Sequence, residues 1–150
     1  MDWLELLAQA FARQEGTISP SGQIVPTTAG AKRNNPGNIA DYDALKAGKF
    51  TLETYNSWAD GWNALRAWLN RRANEGYTLR EAVYRFAPEG HGNNNPAGYL
   101  ANVAQWTGID PDAKLADVLR SPSQAERLLI SPPPGQATGQ PFGQNTGQNP

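Results

Sequence analysis

The reading turns on Trp3-Leu4-Glu5-Leu6-Leu7-Ala8-Gln9-Ala10-Phe11-Ala12-Arg13-Gln14-Glu15-Gly16. Trp3, Leu4, Leu7, Ala8 and Phe11 recur at helical spacing, so the stretch predicts an amphipathic helix over about 2–15 that ends before Gly16. Glu15 stands four residues after Phe11 and eight after Leu7, which places it on the apolar face. It also falls in the last turn, where the helix dipole disfavours negative charge. Desolvation and dipole both raise a carboxyl pKa, and a carboxyl protonated near neutral pH can act as a general acid. The competing reading is a glutamate at a frayed helix end with its head group in water.

Further helices follow the same logic. Trp58, Trp62, Leu65 and Leu69 stripe a helix over about 58–75, with Ser57 placed to cap it. The Trp58/Trp62 stripe reads first as core. Thr78-Leu79-Arg80-Glu81 has the form of a capping box ahead of Ala82, Val83 and Phe86. Asn95-Pro96 supplies an N-cap and a first-turn proline for a helix over about 96–107 that stops at Gly108. Ser121-Pro122-Ser123-Gln124 has capping-box form ahead of 125–130. Residues 16–56 are rich in Gly, Pro, Thr and Asn, with short alternating pieces at Gln23-Ile24-Val25 and Phe50-Thr51-Leu52. They predict a small irregular β-like lobe. The fold class expected is α+β and predominantly α-helical.

Composition removes several functions. The 150 residues hold 13 Lys and Arg against 14 Asp and Glu, one His and no Cys. No disulfide framework, thiolate chemistry or cysteine zinc site is available, and one histidine cannot make a multi-histidine metal site. No metal or cofactor is therefore expected. The near-neutral balance argues against a nucleic-acid partner. No apolar run reaches the roughly 20 residues that span a membrane. The N-terminus lacks a basic region and Glu5 interrupts its apolar stretch, so no signal peptide is expected. Residues 131–150 carry five Pro, four Gly and no charge, with a four-residue Gly-Gln repeat from Gly135. This predicts a folded domain over 1–130 and a disordered tail over 131–150.

Two loops could bear ligand contacts. In Arg33-Asn34-Asn35-Pro36-Gly37-Asn38-Ile39, Pro36-Gly37 suits the centre of a type II turn with positive φ at Gly37. Its asparagines either meet hydroxyl- and amide-bearing ligands or bond their own backbone, the commoner use of such a pattern. The Gly/Asn stretch from Phe86 through His91 to Asn95 and Pro96 feeds a helix N-terminus, with Tyr99 in the first turn. His91 reads as a solvated loop residue.

Taken in order, the blocks Ala12-Arg13-Gln14-Glu15-Gly16, Arg33 to Ile39, and Asp60-Gly61-Trp62-Asn63-Ala64-Leu65 carry a resemblance. So do Phe86-Ala87-Pro88, Asn94-Asn95-Pro96, Tyr99 and Trp106-Thr107-Gly108-Ile109. The set resembles the lysozyme-like, soluble lytic transglycosylase-type proteins of phages and prophages, over about residues 8–118. The resemblance implies a lysozyme-like fold that cleaves the β-1,4 bond between N-acetylmuramic acid and N-acetylglucosamine in peptidoglycan. It implies Glu15 as the catalytic acid and Asn35, Asn38, Asn95 and Tyr99 beside the sugar cleft. Two asparagines precede Pro36 where the family often has three, the 50–61 stretch is slightly long, and His91 replaces an acidic or small residue.

A hydrolytic muramidase usually needs a second carboxylate, about 5–5.5 Å away for retention or about 6.5–9.5 Å for inversion. Glu53 and Asp60 are the candidates, with Asp41 and Asp43 behind them. None lies where a block marks it, which favours a lytic transglycosylase working through one glutamate. The alternative is a non-catalytic glycan-binding or virion structural module. The partner expected is the peptidoglycan glycan strand, met by a monomer. Without a signal peptide, the routes to the wall are holin release as an endolysin, carriage on a virion, or another export system.

Overall fold

In the computed structural model the chain is described over residues 1–90 and 93–121. Those residues are predominantly helical, with seven helices in the order α1 Trp3–Glu15, α2 Ala29–Lys32, α3 Tyr42–Lys46, α4 Trp58–Asn74, α5 Leu79–Phe86, α6 Pro96–Thr107 and α7 Leu115–Arg120. His91, the segment expected as a helix at 125–130 and the tail at 131–150 lie outside the described residues.

The helix ends follow their capping residues. Asp2, Ser57 and Thr78 accept from the N3 backbone N–H of α1, α4 and α5, and Asn95 caps α6 ahead of Pro96. The Thr78–Glu81 capping box is reciprocal, with both bonds formed. Gly16 and Gly108 take left-handed φ of 85° and 76° and close α1 and α6, a conformation glycine enters without steric cost.

α1 runs through the centre and packs on α4, α6 and α7. Its buried face is Trp3, Leu7, Ala8 and Phe11, against Leu65 and Leu69 of α4, Val83 of α5, Val103 of α6 and Leu115 of α7. Phe11 is fully buried and meets Phe86 and Tyr99 edge-on, with ring centroids 5.1 and 5.3 Å away. A ring buried to this degree is worth about 1.5–3 kcal/mol by transfer alone. At the exposed edge of the α1–α4 contact, Trp62 Nε1 donates to Glu5 at 3.1 Å and Arg66 pairs with the same carboxylate. Trp58 and Trp62 stack 6.2 Å apart and are half-buried against the core.

The lobe over 16–56 is irregular but hardly β. Its pairing among the described residues is two isolated antiparallel bridges, Ile18 with Ile24 and Ala40 with Leu52. Both alternating pieces supply one bridge residue, and the short helices α2 and α3 occupy the chain between them. α3 buries none of its residues, so its register is set by the Asp41 cap and not by a core. The lobe is held instead by asparagine side chains.

Candidate functional site

Pro36 and Gly37 turn the chain, and the Asn38 N–H closes the turn on the Asn35 carbonyl at 3.3 Å. The expected positive φ at Gly37 is absent. Positive φ falls on Asn34 (55°) and Asn38 (49°), the residue type that best tolerates it after glycine. Gly37 packs closely instead: a Cβ there would stand 2.9 Å from a Leu65 methyl, which would have to move. Gly61 of α4 is tighter still, since its Cβ would lie 1.8 Å from the Asn34 carbonyl oxygen. The turn is thus pressed backbone to backbone against α4.

Asn35, expected beside a sugar cleft, turns its side chain inward to the backbone. It is fully buried, and its amide bonds the Ile39 N–H, the Ile39 carbonyl and the Glu53 carbonyl, all at 2.9 Å. A side chain with its bonding used this way ties the turn to the 50–55 strand-like piece. Asn34 does the same at the rim, donating to the Tyr55 carbonyl at 3.0 Å. Thr17 completes the frame by donating to the Pro36 carbonyl at 2.6 Å, which fixes the turn to the end of α1.

That frame brings Glu15, Asn38 and Tyr99 together. Asn38 Nδ2 donates to Glu15 Oε1 at 2.8 Å, and the Tyr99 hydroxyl donates to Glu15 Oε2 at 2.9 Å. Tyr99 is 6% exposed, and its ring is held between Phe11 and Phe86. The Glu15 carboxyl is pushed above the ordinary glutamate value of 4.5 because burial removes water from the anion. The two donors pull in the opposite direction and are outweighed. Burial, and secondly the Glu15 charge, push the Tyr99 phenol well above its ordinary value, so it stays a donor at any physiological pH.

Glu15 opens onto a cleft of about 280 Å³ lined by Gln14, Asn93, Asn94, Asn95, Gly98, Tyr99 and Asn102. Among the described residues Glu15 is its one carboxyl. Five of the other lining side chains are amides, neutral groups that both donate and accept. Asn95 spends its oxygen on the Gly98 N–H at 3.1 Å while its side chain faces the cleft. Gln14 and Asn102 were not singled out by sequence. They sit beside Glu15 and one helical turn beyond Tyr99, and Asn102 Nδ2 donates to Gln14 Oε1 at 2.9 Å. The i, i+3 spacing from Tyr99 was the available signal.

The candidate second carboxylates lie elsewhere. Glu53 and Asp60 do not line the cleft; Asp60 is in the first turn of α4 and Glu53 lies on the piece that Asn35 ties down. Asp41 caps α3 and Asp43 pairs with Lys46 at 3.6 Å. Among the described residues no group of three or more His, Cys, Asp or Glu could hold a metal ion, and no helix is long and apolar enough to cross a membrane. No family model, curated protein or solved structure matches the chain.

Proposed function

We propose that the protein is a peptidoglycan-cleaving enzyme with a lysozyme-like fold, acting as a lytic transglycosylase through Glu15 alone. The observation that carries this reading is a carboxyl raised in proton affinity, the one carboxyl among the described residues of a cleft walled by amides. Neutral amides suit the hydroxyl and acetamido groups of an amino-sugar strand. A carboxyl whose proton affinity is raised by burial in such a cleft suits donation to a glycosidic oxygen.

The chemistry is as follows. Protonated Glu15 gives its proton to the oxygen linking N-acetylmuramic acid to N-acetylglucosamine, and the C1–O bond breaks. The resulting carboxylate takes the proton of the muramic acid 6-hydroxyl, whose oxygen bonds to C1. The product is a 1,6-anhydro sugar, no water is consumed, and Glu15 ends protonated as it began. Asn38 and Tyr99 stabilise the carboxylate between the two steps by donating to separate oxygens. That neither Glu53 nor Asp60 is among the residues lining the cleft favours this route over a hydrolysis needing two carboxylates.

The test is digestion of purified sacculi by the parent protein and by Glu15→Gln, with mass spectrometry of the released fragments. Anhydro ends from the parent and none from the variant are expected. Reducing ends would replace the transglycosylase by a muramidase. Binding to sacculi without any release would leave a glycan-binding module.

A further inference from the structure

Asn38 has an orphan. Its Oδ1 is buried and has no hydrogen-bond partner, although the same amide's Nδ2 donates to Glu15 Oε1 and lies 3.4 Å from the Glu15 carbonyl oxygen. What that oxygen faces is Gly30 of α2. A Cβ on Gly30 would stand 2.1 Å from Asn38 Oδ1, 2.6 Å from the Asn35 carbonyl and 2.8 Å from Thr17 Cγ2. The hydrogen that glycine carries in place of that Cβ points at the oxygen, a weak C–H···O contact and the only kind a glycine Cα can offer.

The two ends of the amide therefore have opposite requirements. Turned over, it would set Oδ1 against two oxygens of Glu15 and strand Nδ2 against carbon. We infer that Gly30 is a positioning residue for Glu15, acting through Asn38: the missing Cβ is the space that lets the Asn38 amide reach the carboxyl with its NH₂ forward. Asn38 holds a left-handed backbone (φ 49°), which asparagine tolerates better than most residues other than glycine. The groups that bond to the carboxyl are Asn38 from the turn and Tyr99 from α6, and Tyr99 is the titratable one. No charge from α4 or α7, which also pack on α1, moves its proton affinity among the described residues.

The inference rests on Glu15 as the acid of the proposed reaction only for its catalytic consequence, an acid limb of the pH–rate profile that moves with Gly30. The binding geometry is read without activity. In protein labelled with ¹³C at the glutamate carboxyls, the Glu15 titration is followed in the parent, Gly30→Ala, Asn38→Gly and the double variant. Glycine accepts the left-handed backbone at 38, so the second variant removes the amide alone. Gly30→Ala and Asn38→Gly are each expected to shift the midpoint upward, because a donor to the charged form is lost. The double variant is expected to match Asn38→Gly. Leu69→Ala, in the core away from the cleft, is expected to lower stability without moving the midpoint.

A folded Gly30→Ala that titrates like the parent overturns the inference, as does a further shift in the double variant. If Gly30→Ala does not fold, the parent decides. The Asn38 side-chain NH₂ signals and one of the two Gly30 α-protons, well separated from its twin, are expected to move with the Glu15 titration. If neither follows it, the contact is not as argued. Loss of the cleavage reading alone would leave every one of these titrations as expected.

Discussion

Tyr99→Phe isolates one hydrogen bond. The ring packs between Phe11 and Phe86 and a phenylalanine fills the same space, so the change removes the hydroxyl that donates to Glu15 Oε2 at 2.9 Å and little else. A hydrogen bond to a charged group contributes about 1.5–3 kcal/mol, one between neutral groups about 0.5–1.5 kcal/mol. Glu15 passes from neutral to charged as pH rises, so the cost of the substitution depends on pH. Below the titration the expected loss is about 1 kcal/mol, and above it about 2 kcal/mol. The sign agrees with linkage. Losing a donor to the carboxylate raises the folded-state pKa further, so the folded variant holds its proton to higher pH and its stability falls more on the alkaline side. Urea unfolding followed by tryptophan fluorescence, at a series of pH values from acid to neutral, measures this. A stability difference that is flat across the range would refute the argument, because it would mean that the hydroxyl does not sense the Glu15 charge.

Other variants probe other parts of the frame. Glu15→Gln is expected to raise the melting temperature near neutral pH: the parent's carboxyl has a raised folded pKa, so its contribution is most favourable below the ordinary value of 4.5 and declines as pH rises. The same variant is expected to lose about 10²–10⁴ in sacculus cleavage, the usual worth of a positioned acid. A differential scan and a turbidity assay on one preparation read both. Asn35→Ala leaves the Ile39 N–H and two carbonyls without their partner, and a loss of about 3 kcal/mol in urea unfolding is expected. Glu53→Gln and Asp60→Asn are expected to cleave sacculi at the parent rate, since neither lines the cleft. A large loss in either would restore a two-carboxylate mechanism.

The long helices were legible because each carries both a stripe and a cap. α1 was expected over 2–15 and spans Trp3–Glu15, and α4 was expected over 58–75 and spans Trp58–Asn74. The Thr78 box, the Asn95 cap and the Gly108 stop were likewise written in residue types. α2 and α3 were not legible, because four or five residues cannot show a period. α7 lacks a side-chain cap bond at Lys114, so nothing announces its start. Within the candidate site, the apolar face of α1 marks Glu15, and the first turn after Asn95-Pro96 marks Tyr99. The asparagines were not separable by sequence. Asn35 and Asn38 stand three apart in one turn, yet one is consumed by backbone and the other turned outward to the carboxyl, a division decided by Gly30, Gly61 and Thr17 from elsewhere in the chain. Gly37 shows the same limit: a Pro-Gly pair invites positive φ, and the residue instead packs closely against Leu65.

The carboxyl and its two donors come from positions 15, 38 and 99, and the bond from Tyr99 closes a loop of 84 residues. Loop-closure entropy grows with the separation of the residues joined, so a contact this remote in sequence is costly to form. The burial that raises the Glu15 proton affinity and the two donors that oppose it are supplied by segments far apart along the chain. The electrostatic environment of the carboxyl is therefore a property of the assembled fold and not of α1 by itself.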